Sequence, residues 1–228
     1  MKILLIFLIS LNFLFNIGCK DDGHSTILLW KHGRIPYTMI GLNPIQAQIL
    51  LESMFEWQIM TGSSVTFVPK KSGDEKFLTI INDTKNDSTY IEAYSPGLQI
   101  MQLNCWSTRR AIRHGLGHVI GLLHEHQRPD RELYIHIEPF SNCSPTAMYQ
   151  IMVYPDDVYQ YDYKKYPYDK QSIMHYKWTD ICEHALLNSE GETGSEDISI
   201  LDAKKVIDMY EDFKEEEKKG IFNNFDEE

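Results

Sequence analysis

The stretch His114-Gly-Leu-Gly-His118-Val-Ile-Gly121-Leu-Leu-His124 decides the fold. Its first two histidines are four residues apart, so on a helix both imidazoles lie on one face and can share an ion. Gly121 can adopt the left-handed conformation that ends a helix, which would turn the chain so that His124 approaches the same ion. Three imidazole nitrogens with an open fourth position are typical of a catalytic zinc site, although copper, cobalt and nickel also accept such ligands.

Two motifs in this part of the chain resemble a known family of enzymes. Residues 114–131, HGLGHVIGLLHEHQRPDR, are similar to the zinc-binding signature of the astacin family of metzincin metallopeptidases. Residues 172–176, SIMHY, are similar to the Met-turn of that family, and a weaker resemblance extends over roughly residues 26–210. It implies an α+β, metzincin-like two-lobed domain, with a twisted mixed sheet and the zinc-binding helix above a cleft. The implied lower lobe is irregular and contains the Met-turn and a C-terminal helix.

The resemblance also implies roles for individual residues. Zinc is the implied cofactor, and three residues are its implied ligands: His114, His118 and His124. Three further residues support the site. Met174 packs beneath the ligands, Glu125 meets the mature N-terminus, and Gly121 shapes the turn. Tyr176 is implied as a transition-state stabiliser and as an additional zinc ligand that can swing away.

The implied partner is a peptide or a protein. Metzincins bind extended peptide against an edge strand of the upper sheet, and residues 90–103 are the candidate edge in this chain. The 22 lysines and arginines are outnumbered by 33 aspartates and glutamates, a net charge of −11. Because this charge repels phosphate backbones, no nucleic acid is expected as a partner. The sequence specifies neither the preferred side chains of the peptide nor the oligomeric state.

Position 115 departs from the family pattern. The family has a glutamate directly after the first histidine, and this chain has Gly115. In this type of peptide hydrolysis the glutamate takes a proton from the attacking water and passes it to the departing amine, which contributes about 10²–10⁴-fold in rate. Glycine has no group for either transfer. Glu125 extends from a different stretch of backbone, and Tyr176 is a poor base at neutral pH, so neither is an obvious replacement.

Three functions fit these observations. The favoured one is an astacin-like zinc metalloendopeptidase domain that binds zinc and peptides but hydrolyses them very slowly or not at all. The second is an active metalloendopeptidase whose base comes from another carboxylate or from the substrate. The third is an envelope-anchored, non-catalytic protein that holds a peptide in the cleft or keeps zinc for structure alone.

The N-terminal residues have the pattern of an export signal. A lysine precedes an apolar run, residues 3–15, which is shorter than the roughly 20 residues that a membrane-spanning helix needs. Gly18-Cys19 at its end resembles a bacterial lipobox, although Asn16 stands where that pattern usually has an aliphatic residue. The chain is therefore expected to be exported, and either secreted or anchored in a bacterial envelope through lipid on Cys19. That anchor is the only expected contact with a membrane.

Composition is typical of a globular protein. Hydrophobic residues make up 43% and charged residues 24% of the chain, which excludes whole-chain disorder, collagen-like repeats and coiled coil. Four cysteines among 228 residues are too few to replace a hydrophobic core. If Cys19 carries lipid, the remaining three permit one disulfide and one free thiol without defining the pair: Cys105, Cys143 and Cys182.

Hydrophobic patterning predicts the elements around the motifs. Strands are predicted at residues 26–30, 35–40, 64–68, 77–81 and 97–103, and helices at residues 44–61, at residues 107–123 and from about Ser199 onward. Residues 149–176, which are rich in tyrosine, are predicted to be irregular. The expected layout is a signal peptide (1–18), a short linker (19–25), a metallopeptidase domain (26–212) and an acidic tail (213–228).

Overall fold

The structure is a computed structural model that describes most of the predicted domain. The described residues are 29–82, 90–94, 98–103, 108–139, 151–156, 159, 161–177, 185–188 and 191–218. The predicted signal peptide, the linker and all four cysteines (Cys19, Cys105, Cys143 and Cys182) lie outside these ranges. In the ranges that are described, no helix combines the length and the apolar character that crossing a membrane requires.

The upper part of the domain contains a five-stranded mixed sheet. Its strands are β1 (Arg34–Ile40), β2 (Thr66–Pro69), β3 (Phe77–Asn82), β4 (Tyr90–Tyr94) and β5 (Leu98–Leu103), in the order β2-β1-β3-β5-β4. All neighbours are parallel except β4, which runs antiparallel to β5. The predicted mixed sheet is therefore confirmed, and the predicted edge region contains β4 at one edge of the described sheet. The sequence patterning did not identify β4 as a separate strand.

Two helices pack together in the upper lobe. Helix α1 (Pro44–Met60) begins with a capping box, in which Asn43 and Gln46 satisfy each other's backbone N–H groups. Helix α2 (Arg109–Val119) carries the first two histidines of the motif. The Trp57 indole of α1 is fully buried and donates a hydrogen bond to the Arg113 carbonyl of α2 (2.9 Å). This bond ties the metal-binding helix to the core of the sheet and helix layers.

The lower lobe is mostly irregular, as predicted, and its core is aromatic. Five tyrosines between residues 159 and 168 are buried: Tyr159, Tyr161, Tyr163, Tyr166 and Tyr168. Because buried aromatic side chains contribute large apolar areas, these tyrosines pack the interior of the lobe. The structure also contains a small antiparallel sheet that the sequence analysis did not predict, formed by β6 (His136–Pro139) and β7 (Ala185–Asn188).

The C-terminal helix α3 (Ile200–Lys218) closes the described fold. It begins with a capping box, because Ser199 N donates to the Asp202 carboxylate and Asp202 N donates to Ser199 Oγ (3.1 and 2.9 Å). The helix continues to Lys218 and so extends into the segment predicted as a frayed acidic tail. Its Tyr210 hydroxyl donates to the Ile120 carbonyl (3.2 Å), which joins α3 to the end of α2.

A pair of adjacent leucines on α1 tests this packing. Leu50 is 0% exposed and lies in the main core, whereas Leu51 is 42% exposed. We expect Leu50→Ala to lower the free energy of unfolding by about 2–5 kcal/mol, because it leaves a cavity. Leu51→Ala should change it by about 0.5 kcal/mol or less. Urea denaturation of both variants measures the difference, and equal losses would contradict the described orientation of α1.

Candidate functional site: a three-histidine metal centre

Helix α2 and the turn that follows it place three histidines together. His114 and His118 lie one turn apart on α2, which ends at Val119 and not at residue 123 as predicted. The turn has the hydrogen bonds of a Schellman motif, since Leu122 N donates to the Gly117 carbonyl and Gly121 N to the His118 carbonyl. Gly121 has a φ of 106°, a conformation that favours glycine. This turn directs His124 back towards the helix, as predicted.

The three imidazole rings converge on one point through their Nε2 atoms. The Nε2 atom of His118 is 3.1 Å from that of His114 and 3.0 Å from that of His124. The third separation, between His114 and His124, is 3.1 Å. Among the described residues, the group of potential ligand atoms within 4.8 Å of one another consists of these three histidines and contains no carboxylate.

Each ring is oriented by an acceptor at its other nitrogen. The Nδ1 atom of His114 lies 2.8 Å from the Ile173 carbonyl, and that of His118 lies 2.8 Å from the Leu122 carbonyl. The Nδ1 atom of His124 lies 2.5 Å from Gln127 Oε1. Since these oxygens can only accept, the three Nδ1 atoms must carry the protons. The three Nε2 atoms then present lone pairs to one another.

Burial keeps these imidazoles neutral. It lowers the pKa of His114 to about 3 and that of His118 to about 4. Burial also holds the pKa of His124 well below its usual value, and the neighbouring histidines lower it further. Neutral imidazole is the form that binds a metal ion.

The donor set fits zinc. Two ligand nitrogens at about 2.0–2.1 Å from a tetrahedral zinc ion are about 3.3 Å apart, close to the 3.0–3.1 Å found between the Nε2 atoms. Three converging lone pairs without a hydrogen between them repel each other unless a cation lies among them. The arrangement of each Nδ1 proton on an acceptor is also the usual support of metal-bound histidine.

The Met-turn packs beneath the ligands. Met174 is buried, and a Cβ atom added to Gly117 of α2 would collide with its sulfur. Gly117 therefore allows the turn to approach the helix between the two histidines. Asp202 of α3 holds the turn in place by accepting from Ser172 Oγ (2.5 Å) and from Ile173 N (2.8 Å).

Glu125 supports the site from a fully buried position. Its Oε1 atom accepts from Arg128 Nη1 and from the Asp169 N–H, both at 2.9 Å. Its Oε2 atom accepts from Lys205 Nζ of α3 at 2.6 Å. The resemblance implies that this carboxylate meets the mature N-terminus, whereas in the structure donors from within the domain bind both of its oxygens.

Tyr176 lies beside the metal centre. Its ring centroid is 4.7 Å from that of His124 and 5.9 Å from that of His114. The ring stacks on His126 at 4.2 Å with an interplanar angle of 26°. The Tyr176 N–H donates to His126 Nδ1 (3.3 Å). The phenol is thus held next to the ligand rings, where the sequence motif placed it.

Gly115 is buried within the regular part of α2, between the first ligand and Leu116. The helix is regular at this point and does not bulge to bring another residue to position 115. The side-chain position that follows the first ligand along the helix therefore carries no acid or base.

The sequence analysis missed several residues that shape the site. Gln127, Gly117, Asp202 and Lys205 orient ligands or hold the segments that carry them. Gly117 had a local signal, because glycine in a helix interior costs about 1 kcal/mol relative to alanine and often marks close packing. The other three act across the fold, and their partners are not visible from local spacing.

Comparison with known proteins agrees with this geometry. A sequence model described as Astacin, a peptidase family, matches residues 23–211. The zinc metalloproteinase nas-14 of Caenorhabditis elegans is 28% identical over 80% of this chain and 37% of its own length. The zinc metalloproteinase nas-8 of Steinernema carpocapsae is 33% identical over 70% of this chain and 37% of its own length. The chain thus spans little more than a third of these relatives.

Solved structures show the same fold. High choriolytic enzyme 1, a hatching enzyme zinc-protease from the medaka fish Oryzias latipes, matches with a TM-score of 0.68 at 22% identity, over 80% of this chain and 94% of that one. Myroilysin matches with a TM-score of 0.54 at 21% identity, over 80% and 95% of the two chains. Because the family match spans most of the chain and the three-histidine group is in place, this chain belongs to the astacin family and is an astacin-like zinc metalloprotease domain.

Proposed function

We propose that this domain binds zinc through His114, His118 and His124 and holds peptides in its cleft, with proteolysis strongly impaired or absent. The observation that carries the proposal is Gly115, which stands where the family pattern has its general base. When bound, zinc would polarise a peptide carbonyl and acidify a water molecule. The residue that should take the proton from that water and deliver it to the amine is missing.

The surroundings of Glu125 support this proposal. It is the acidic residue nearest to the ligands in sequence, but it is only 1% exposed. Arg128, Lys205 and a backbone N–H bind its oxygens. A general base must come within hydrogen-bond reach of the proton that it takes, and these donors hold the carboxylate in the interior instead. Glu125 is therefore unsuited to replace the missing base.

Tyr176 keeps a role in the proposal. Its phenol beside the ligand rings can donate a hydrogen bond to an oxyanion or contribute its oxygen as an additional zinc ligand. A phenol with its usual pKa of about 10 does not replace a carboxylate base at neutral pH. Extended peptide would lie along β4, the described edge of the sheet, through main-chain hydrogen bonds.

We also propose that the chain is exported. Residues 1–18 would be a signal peptide, residues 19–25 a linker, residues 26–212 the metallopeptidase domain and residues 213–228 an acidic tail. Its apolar N-terminal run and Gly18-Cys19 support either secretion or a lipid anchor on Cys19.

Peptide turnover by the zinc-loaded chain tests the proposal. We expect no hydrolysis of a broad peptide library above the level of a His118→Ala variant, while binding of peptides from that library remains measurable by fluorescence anisotropy. Turnover comparable to an active family member, and lost on His118→Ala, would show a working peptidase with a substitute base. Absence of both turnover and peptide binding would leave zinc with a structural role alone.

Zinc binding depends on the converging imidazoles. We expect one zinc ion per chain, and His118→Ala should remove one of three ligands and weaken binding by several orders of magnitude. The matched control is His136→Ala, because this histidine is 56% exposed and pairs with Glu132 on the surface. Metal analysis after dialysis against a chelator measures both variants. Equal zinc retention by the two would contradict the assigned site.

A carboxylate at position 115 should restore peptide hydrolysis. We expect Gly115→Glu to raise the rate of peptide hydrolysis by about 10²–10⁴-fold, the usual contribution of a positioned acid or base. Gly115→Gln is the control, since it has the same size without the carboxylate. Both variants are compared by single-turnover kinetics at equal zinc loading. A rate increase in both variants would contradict the assignment of position 115 to proton transfer, and no increase in either would favour a cleft built only for binding.

A further inference from the structure

Helix α3 inserts an ammonium group into the interior of the lower lobe. Lys205 is 1% exposed, and its Nζ atom lies 2.6 Å from Glu125 Oε2, a carboxylate that is equally buried. Its neighbour Lys204 is on the surface, 56% exposed, where it pairs with Asp208. One of two adjacent lysines is therefore directed inwards by the helix, towards the segment that carries the third metal ligand.

Stability alone is a weak explanation for this buried ion pair. Removing two charges from water is costly, and replacing such a pair by apolar residues of similar volume is often neutral or stabilising. The ammonium also lies over the buried ring of Tyr161, 5.9 Å from its centroid, and its charge lowers the pKa of the buried Asp202 carboxyl against the effect of burial. Buried pairs of this kind are better attested as devices that fix one geometry than as sources of stability.

The pair connects directly to the metal centre. Glu125 follows His124 in the chain, and its N–H donates to the Met174 carbonyl of the Met-turn (3.1 Å). The preceding residue of that turn, Ile173, accepts from His114 Nδ1 (2.8 Å). The backbone of Glu125 is thus bound to the Met-turn while its carboxylate is bound to α3. A rotation of Glu125 would therefore move His124, its neighbour in the chain. It would also move His114, whose ring is oriented by the Met-turn.

We propose that Lys205 is a positioning residue for the metal centre, because its ammonium fixes the Glu125 carboxylate and hence the turn that carries His124. Arg128 and the Asp169 N–H hold the other oxygen of Glu125, both at 2.9 Å, and these donors connect Glu125 to the loop before the Met-turn. Lys205 is the donor that ties this segment to a separate helix. The inference rests on zinc binding by the three histidines and does not depend on whether proteolysis is lost.

The test measures the metal site and the fold separately. We expect Lys205→Met to weaken zinc binding by about 10–100-fold, the range typical for residues that orient metal ligands. It should also change the visible absorption spectrum of the cobalt(II)-substituted protein, which reports ligand geometry. Lys204→Met is the matched control on the next residue and should change neither quantity. Chelator competition gives the affinities, and thermal unfolding of the metal-free chains gives the stabilities.

A double-mutant cycle tests whether Lys205 acts through Glu125. Glu125→Gln alone should also weaken zinc binding by about 10–100-fold. The double variant Lys205→Met/Glu125→Gln should lose no more affinity than the weaker-binding single variant, because both changes break the same contact. Losses that multiply in the double variant would show that Lys205 acts independently of Glu125 and would overturn the proposal.

The remaining outcomes are also decisive. Lower stability of Lys205→Met with unchanged zinc affinity and an unchanged cobalt spectrum would reduce Lys205 to a structural role and reject the inference. If Lys205→Met does not fold, the double variant carries the test, because it also removes the Glu125 charge that the ammonium balances. Zinc affinity of the double variant equal to that of the unmodified chain would reject the inference. Absence of zinc binding by the unmodified chain would instead refute the zinc site itself.

Discussion

The convergence of three imidazole lone pairs is the constraint on which the rest of the structure depends. Three Nε2 atoms lie 3.0–3.1 Å apart while each Nδ1 faces an oxygen that can only accept. This arrangement is the one that a shared cation requires, so the fold must bring three separate rings to one point. Three contacts restrict the site. The Schellman turn at Gly121 directs His124 towards the helix, Met174 of the Met-turn packs against Gly117, and the Ile173 carbonyl orients the His114 ring.

Helix α3, at the C-terminal end of the described fold, also contributes to this constraint. Asp202 accepts from the Met-turn, and Lys205, one turn later, donates to the carboxylate that follows the third ligand. Opposite charges on one buried face of a single helix therefore bind the two segments that meet at the metal centre. This supporting framework is present beside Gly115, which has no side chain that could transfer a proton.

Local sequence patterns were sufficient to predict the metal ligands, but they did not predict the residues that orient those ligands. The spacing of His114 and His118 and the glycine after them predicted a shared site, because helix periodicity and the left-handed turn are local properties. The mixed sheet and helix α1 also followed from periodicity. The acceptors Ile173 and Gln127 and the ammonium of Lys205 were not predictable, since tertiary packing alone brings them to the site. Strands β6 and β7 were missed because each has four residues and its partner lies almost 50 residues away in the chain. Strand β4 pairs with the adjacent β5 and was missed because residues 90–94 were not distinguished from the turn that precedes them.

X-ray absorption at the zinc K edge of the zinc-loaded chain tests the central claim most directly. Three converging imidazoles predict first-shell scattering at about 2.0–2.1 Å and the outer-shell multiple scattering of three histidine rings. The remaining first-shell scattering should come from oxygen. A spectrum with two or fewer imidazoles, or with sulfur in the first shell, would contradict the geometry on which this account depends.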